Sequence, residues 1–249
     1  MFGFHSDVIV EYWPLFVHGA WMTVQITVIC VFLGMILGTL LGMGRLASAR
    51  YEPAKSFLHF GVRWPIAVYV SFFRGTPLFV QIFLMHFAVL PIFIHPVDGL
   101  LIDGALAREI RANYGAMLAG ICAITLNSGA YMCEIFRAGI QSLDKGQMES
   151  ARSLGMSFSR ILAKIVIPQA LRSSVLPMTN LFIAVMLTTA LGSQVPLKPQ
   201  ELTGVVSYIN TRSLGGVAAF FISALGYLGT AFVVSHIGNY IDKKVMILR

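Results

Sequence analysis

Charged side chains are scarce in this chain. Asp, Glu, Lys and Arg make up 12% of its 249 residues, whereas a soluble globular domain carries about 25%. Hydrophobic residues reach 57%, and they occur in runs of about 20 residues, the length of helix that crosses a bilayer. The shortage of charge therefore excludes an ordinary water-soluble domain and indicates an integral membrane protein.

Cysteine is rare as well, and its placement excludes two kinds of site. The three cysteines are Cys30, Cys122 and Cys133. All of them lie within apolar runs, their spacing matches no metal site and their number is odd, so neither a metal centre nor a disulfide framework is indicated. Residues 1–14 also lack the basic region and the cleavage site of a secretory signal peptide.

Several functional motifs are missing from the sequence. It has no Gly-x4-Gly-Lys-Ser/Thr phosphate-binding loop, and no convergent set of nucleophile, base or metal ligands that would indicate a membrane-embedded enzyme. It has no internal repeat, whereas secondary transporters usually show inverted halves and more spans. We therefore predict a single membrane domain over 1–249 without catalytic residues, metal or cofactor. A self-sufficient secondary transporter is the alternative.

Five apolar runs predict an all-α, polytopic membrane fold. The predicted spans are 19–43, 64–94, 113–136, 173–195 and 214–241. Helices are expected because an open sheet cannot satisfy its backbone hydrogen bonds in lipid. The first span carries Gly34, Gly38 and Gly42 at steps of four, a stripe that lets a second helix approach closely. The second span is interrupted by Arg74-Gly75-Thr76-Pro77.

Two short segments outside the spans receive predictions of their own. Residues 8–18 predict a helix that lies in the membrane interface, with Tyr12 and Trp13 at the level of the lipid headgroups. Residues 196–212, between the fourth and fifth spans, predict a short polar connection.

The basic residues predict the orientation of the chain. Of 18 Lys and Arg residues, 13 lie in the stretches 44–63, 137–172 and 242–249, whereas four lie in 95–112 and 196–212. Because cytoplasmic loops accumulate Lys and Arg, the N-terminus is predicted outside and the C-terminus in the cytoplasm. Topology thus accounts for the net charge of +7, and no nucleic-acid partner is expected.

Residues 137–168, which we call the bracket, are too polar to cross a membrane and too regular to be a tether. They predict a short helix at 147–154, a break at Gly155 and a second helix at 160–166 that ends at Pro168. The apolar face of the first helix comprises Met148, Ala151 and Leu154. The bracket is expected to dock on another protein at the cytoplasmic face, because it cannot bury its own apolar side.

Small and acidic residues recur at fixed positions in the bracket. The set comprises Gly146, Gln147, Glu149, Ser150, Ala151, Gly155 and Pro168. The triplet Glu149-Ser150-Ala151, the following Gly155 and the hydrophobic-Pro end resemble the EAA loop of ATP-binding-cassette (ABC) importer permeases, although Ser150 departs from the usual Ala. In that family the loop lies in a groove of the ATP-binding subunit. The resemblance therefore implies that these residues couple the chain to an ATPase.

Three other motifs narrow the resemblance. Arg74-Gly75-Thr76-Pro77, the stretch 131–142 and Glu201-Leu202-Thr203 are similar to motifs of the polar amino acid importer permeases. The resemblance covers nearly the whole chain. One segment departs, since Leu187 and Thr188 replace the usual Lys-Asp pair and the segment is lengthened before Glu201. If that pair helps to recognise substrate, this subunit recognises a different one or leaves recognition to a partner.

The resemblance implies a type I ABC importer permease that crosses the bacterial inner membrane several times. It implies three partners: a dimer of cytoplasmic ATP-binding subunits that hold ATP and Mg, a second permease that is identical or paralogous, and an extracytoplasmic amino-acid-binding protein. The implied function is the ATP-driven import of polar or charged amino acids.

Six polar residues are candidates for the substrate path. They are Arg74, Thr76, Asn127, Glu134, Thr188 and Thr189. Structural alternatives stay open for several of them. Arg74 would instead cap the broken second span, and Asn127 would make hydrogen bonds between helices. Glu134 would instead pair with Arg137, one helical turn away.

Overall fold

The computed structural model describes residues 6–48, 59–194, 201–212 and 216–247. These ranges contain nine helices. α1 is Ser6–Ser48, α2 Phe60–Gly75, α3 Leu78–Phe93, α4 Gly104–Gln141 and α5 Lys145–Ser153. α6 comprises Phe158–Ile161, a π-helical turn at Leu162–Val166 and Ile167–Ser173. α7 is Val175–Thr188 followed by a 3₁₀ turn at Thr189–Gln194, α8 is Leu202–Arg212 and α9 is Gly216–Ile247.

The described helices supply four candidate spans, or five if one bent pair is counted as a span. α1, α4, α7 and α9 are each long and apolar enough to cross a membrane. α2 and α3 are bent by 110° at the interruption and count as a fifth span if the pair crosses as one. Within the described ranges the prediction of an all-α polytopic fold is therefore confirmed. The orientation of the two termini remains a prediction.

Residues 8–18 do not form a separate helix, contrary to the prediction, and their position at the membrane interface remains a prediction. One helix runs without a break from Ser6 to Ser48 and passes through Pro14. Phe16 is 3% exposed, because it packs against an apolar face of α8. Residues 8–18 are thus the beginning of the first long helix, and Phe16 fixes this part of α1 to α8.

α4 extends beyond both ends of the predicted third span. Its 38 residues are about 57 Å long at 1.5 Å per residue, nearly twice the roughly 30 Å of the hydrocarbon core. The polar residues on either side of 113–136 are therefore helical extensions of the span. As a consequence, the non-helical part of the bracket begins at Ser142.

The glycine stripe of α1 is a close-packing surface, as predicted. A Cβ added to Gly38 would lie 2.6 Å from the carbonyl oxygen of Gly129, and one added to Gly42 would lie 2.8 Å from the Phe136 ring. A Cβ on Gly34 would collide with the Ser128 side chain. The absence of side chains at these three positions lets α1 lie directly against α4.

The polar connection predicted at 196–212 is also wrong over its described part. Residues 202–212 form the helix α8, whose buried residues are Leu202, Val205, Val206 and Ile209. Their spacing is that of one helical face, and this face packs against Phe16 of α1 and Ala219 of α9. Polar residues lie between these apolar positions, so the helical periodicity was not recognised in the sequence.

Some predicted features lie outside the described residues. The C-terminal end of the fourth predicted span at 195 and the start of the fifth at 214 are among them, as are Arg50 and Lys55 of the basic loop. The same holds for 195–200, six of the 14 residues of the segment 187–200 in which the sequence departs from the resembled family.

Candidate functional site

The first helix of the bracket, α5, begins at a side-chain cap. Asp144 is its N-cap residue, and the Asp144 carboxylate accepts a hydrogen bond from the Gly146 N–H at 2.9 Å. Such a cap satisfies one of the N–H groups that the first helical turn leaves without an intrahelical partner. α5 therefore starts at Lys145, two residues before the predicted start.

Gly155 ends α5 in a left-handed conformation. Its φ is +76°, a value that favours glycine over residues with a side chain. The Gly155 N–H donates to the Arg152 carbonyl at 2.9 Å, and the Met156 N–H donates to the Ala151 carbonyl at 3.1 Å. These two bonds form a complete Schellman cap, so Gly155 fixes the angle between α5 and α6.

The bracket buries part of its own apolar side, contrary to the prediction. Ala151, Ile161 and Val166 are each at most 4% exposed and form a small core between α5 and α6. Ile140 and Leu143, at the end of α4, pack against this core. The bracket is thus a folded unit that is fixed to the end of a membrane helix.

Leu154 does not join that core, although the helical pattern places it beside Met148 and Ala151. It follows the last residue of α5 and has φ −80° and ψ 8°, so its side chain leaves the helical face. Leu154 is 83% exposed. The bracket therefore presents one large apolar side chain to its surroundings, next to the bend at Gly155.

The polar and glycine motif residues of α5 are exposed as well. Gly146, Gln147, Glu149 and Ser150 are exposed on α5, and the Gln147 side chain accepts a hydrogen bond from Gln169 at 2.9 Å. The prediction that Pro168 ends the second helix is wrong. Pro168 lies in the first turn of the segment Ile167–Ser173. The π-helical turn before it ends at Val166, and a first-turn position tolerates the missing N–H of proline.

The second arm of the bracket, α6, packs on α4 and leads into α7. A Cβ added to Gly139 would lie 2.8 Å from the Ser174 hydroxyl and 2.9 Å from the Ala170 carbonyl oxygen. Ser174, the single residue between α6 and α7, donates its hydroxyl hydrogen to that same carbonyl at 2.7 Å. α6 is therefore packed directly on α4 and joined to α7 through a single residue.

Two side-chain amides stabilise the bend between α2 and α3. Gln81 Nε2 donates to the carbonyls of Phe73 and Thr76 at 2.9 and 3.0 Å, and to the Thr76 hydroxyl at 2.8 Å. Asn127 Nδ2, on α4, donates to the Phe73 carbonyl at 2.8 Å and to Gln81 Oε1 at 3.1 Å. Gln81 and Asn127 thus bind carbonyls beside the helix break, the role considered for Arg74.

Arginines from three helices converge on Glu134. Arg137 approaches its carboxylate to 2.7 Å and Arg45 of α1 to 2.5 Å. Arg74 of α2 lies farther away, at 3.9 Å. Three cations and one carboxylate leave this cluster with an excess of positive charge, so an additional anionic group is attracted to it.

An open cavity of about 550 Å³ adjoins this cluster. It is lined by Arg74, Tyr131, Glu134, Arg137, Ser142 and Ser173, among others. The Arg74 guanidinium lies 5.2 Å from the centre of the Tyr131 ring, and its side chain is 43% exposed. Arg74 is thus held by an aromatic ring and an acid while its guanidinium stays accessible from the cavity.

The six candidate path residues fall into three places. Thr76 and Asn127 meet at the bend, whereas Arg74 and Glu134 meet at the cavity. Thr188 and Thr189 lie at the end of α7, where each hydroxyl donates to a carbonyl of the preceding turn. Leu154 and Gln81 were not among the predicted site residues, and the structure adds both.

Comparison with known proteins identifies the family. Residues 34–247 match the family described as "Binding-protein-dependent transport system inner membrane component". The L-cystine transport system permease protein TcyB of Bacillus subtilis is 31% identical over 94% of this chain and 88% of its own length. The putative glutamine transport system permease protein GlnP of Rickettsia prowazekii is 28% identical over 96% of this chain and 98% of its own length.

Solved structures agree with these relatives. The crystal structure of an amino acid ABC transporter with histidines superposes with a TM-score of 0.74 and 28% identity, covering 97% of this chain and 98% of the other. The MetNI methionine ABC transporter, at 18% identity and a TM-score of 0.71, shares the fold. The chain belongs to the inner membrane components of binding-protein-dependent transport systems, the permease subunits of ABC importers.

Proposed function

We propose that this permease imports amino acids with energy from ATP that is hydrolysed on a separate subunit. The family match over 34–247 carries the proposal, and the relatives named for cystine and glutamine support the substrate class. The sequence has no phosphate-binding loop of its own. According to this proposal, the whole chain is one membrane domain that needs no cofactor of its own.

According to this proposal, the bracket is the element on which the ATP-binding subunit docks. Its support is the apolar Leu154 side chain, exposed beside the polar Glu149 and Ser150. Burial of a leucine side chain contributes about 1.5–3 kcal/mol, so a groove on a partner would bind it favourably. Gly146, Gln147 and Gly155 shape this surface, Ala151 supports it from inside, and Pro168 begins the final segment of α6.

Two ATPases, a second permease and an extracytoplasmic binding protein complete the proposed transporter. Closure of the ATPase dimer on ATP would move each bracket as a rigid lever. Because α6 packs on the end of α4 and continues into α7, the lever would shift both spans. Alternation between inward-open and outward-open states follows from that shift, and the binding protein supplies the amino acid outside.

We place the inner part of the substrate path at the cavity beside Arg74. Its excess of positive charge suits the carboxylate of an amino acid, and the Arg74 fork can bind a carboxylate with two hydrogen bonds. Glu134, with arginines on three sides, serves to hold them in place. Thr76 and Asn127 shape the bend above the cavity, and Thr188 and Thr189 would border the path farther along α7.

The proposal is tested by uptake into proteoliposomes that contain the chain with its ATPase and its second permease. Accumulation of a radiolabelled amino acid is expected when binding protein and ATP are both supplied, and not when a non-hydrolysable analogue replaces ATP. Accumulation that persists without ATP would instead identify a self-sufficient secondary transporter.

Replacing Arg74 with methionine is expected to lower uptake about tenfold or more, because a hydrogen bond to a charged group contributes about 1.5–3 kcal/mol. Arg74→Lys keeps the positive charge but lacks the planar guanidinium that can form two parallel hydrogen bonds, so it should retain part of the uptake. Arg108→Met, at the opposite end of the molecule, is the matched control. Uptake by the Arg74→Met transporter within twofold of that control would remove Arg74 from the substrate path.

A further inference from the structure

The cavity beside Arg74 contains two hydroxyl groups that the proposed carboxylate site does not use. Ser142, the C-cap residue of α4, and Ser173, the last residue of α6, both line it. The Ser142 hydroxyl donates to the Gly139 carbonyl at 2.8 Å, and the Ser173 hydroxyl donates to the Ala170 carbonyl at 3.0 Å. A hydroxyl has a single hydrogen and two lone pairs. Both serine oxygens are therefore available to the cavity as hydrogen-bond acceptors.

The two serines lie beside the same glycine. Ser142 binds the carbonyl of Gly139, and a Cβ added to Gly139 would lie 3.2 Å from the Ser173 hydroxyl oxygen. The ends of α4 and α6 approach each other this closely because Gly139 has no side chain. Their packing places two acceptor oxygens on one side of the cavity. Such a pair suits an ammonium group, which has three hydrogens to donate and cannot accept.

The charged donors of the cavity are two guanidinium groups that lie side by side. Arg137 and Arg74 approach the same oxygen of Glu134, Oε2, at 2.7 and 3.9 Å. A separation of 3.9 Å is too long for a hydrogen bond, so Arg74 can donate to a carboxylate that enters the cavity. The neighbouring charge of Arg137 attracts the same carboxylate.

The cavity offers no available acid to a positively charged side chain. Glu134 is the only acid among the described residues that line it. Glu134 Oε1 accepts from Arg45 at 2.5 Å, and Oε2 accepts from Arg137 at 2.8 Å. The other lining residues are mostly apolar and include Ile135, Ala138 and Pro177. A cationic side chain would therefore lie among arginines and apolar groups without a carboxylate to pair with, which is unfavourable.

We propose that this cavity binds the head group of an amino acid as a zwitterion and favours neutral or acidic side chains over cationic ones. The α-carboxylate accepts hydrogen bonds from Arg74, and the α-ammonium group donates to the hydroxyl oxygens of Ser142 and Ser173. The side chain of the substrate lies against the apolar wall, where the arginines repel a second positive charge. This inference rests on the proposed function, since it names the substrate class of that same site.

The substrate class is tested by equilibrium binding to the purified, complete transporter. The binding protein is left out, because it would choose which amino acid arrives. The probes are radiolabelled L-glutamine and L-cystine, the amino acids named for the relatives, and L-lysine. At least one of the two neutral amino acids should bind about tenfold more tightly than lysine or better, because of the unpaired like charge. A smaller preference, or no binding of either neutral amino acid, would overturn the inference.

The ammonium site is tested by the double variant Ser142→Ala, Ser173→Ala. It should bind the preferred neutral amino acid about tenfold more weakly, because hydrogen bonds to a charged group are lost. Its affinity should not change for the deamino analogue of that amino acid, glutaramate for glutamine or dithiodipropionate for cystine, because the analogue has no ammonium group. A purely structural role of the serines would weaken both ligands alike.

Ser207→Ala is the matched control for these serines. Ser207 is exposed on α8, its hydroxyl also donates to a backbone carbonyl, that of Thr203, and it does not line the cavity. Its replacement should leave both affinities unchanged. Equal losses for amino acid and analogue in the double variant, or no loss for the amino acid beyond that of Ser207→Ala, would refute the ammonium site.

A carboxylate added to the cavity wall should weaken the exclusion of cations. Ala138 is exposed and lines the cavity. Ala138→Asp should raise the affinity for lysine relative to the neutral amino acid about fivefold, the effect of an exposed ion pair. Ala138→Asn has the same shape without the charge, and equal ratios for the two variants would show that charge does not select the substrate. These binding assays need no ATP, so ATP-driven uptake that persists while they fail would sink this inference and leave the proposed function intact.

Discussion

Valine at position 155 is expected to reduce uptake about 100-fold while the chain still inserts into the membrane. The glycine has φ +76°, and a residue held in a conformation unfavourable to it costs about 1–3 kcal/mol. Valine is β-branched, so the conformational free energy that it costs lies at the upper end of this range. The angle between α5 and α6 would change to avoid that strain, and the ATPase would meet a misshapen surface.

Asparagine at the same position is the matched control. No heavy atom lies within 4 Å of a Cβ added to Gly155, so crowding is equal for small side chains and the backbone preference decides the result. Asparagine tolerates the left-handed region and should retain most of the uptake. If the valine and asparagine transporters import equally well, the bend at Gly155 has no part in coupling.

Aspartate at position 154 is expected to lower both uptake and co-purification of the ATPase about 100-fold. Leu154 is 83% exposed in the isolated chain, and docking would bury it. Loss of an anchoring side chain at an interface typically costs 2 kcal/mol or more, and an unpaired carboxylate in an apolar groove adds to that cost. The measurement is the amount of ATPase that an affinity tag on the permease retains.

Leu100 provides the control for this substitution. It is 71% exposed, and it lies between α3 and α4, at the end of the molecule that the charge pattern places outside. Leu100→Asp should leave retention of the ATPase unchanged. Retention that is equal for Leu154→Asp and for the unaltered chain would show that the bracket docks elsewhere or not at all.

Much of the fold could be predicted from local sequence. Gly75 and Pro77 marked the break that becomes the 110° bend, because proline removes a backbone donor and limits the preceding residue. The stripe that contains Gly38 marked close packing on α4. Gly155 marked the turn of the bracket, and its positive φ is the physical reason. Each of these features depends on backbone geometry that few residues allow.

Features that depend on tertiary contacts escaped prediction. The apolar period of α8 is short and mixed with polar residues, and its helix is held by Phe16, which lies nearly 200 residues earlier in the chain. The Glu201 carboxylate accepts a hydrogen bond from Tyr227, which lies on another helix. Leu154 left its expected face because the helix ends one residue before it. No local pattern encodes these contacts.

The central claim is that a separate ATPase binds the bracket at Leu154. Its most direct test is a photo-crosslinking amino acid placed at position 154 in the assembled transporter, with the same substitution at Leu100 as the reference. The account predicts a covalent adduct with the ATP-binding subunit from position 154 and none from position 100. Adducts from position 154 with lipid alone, in a transporter that still imports its substrate, would contradict it.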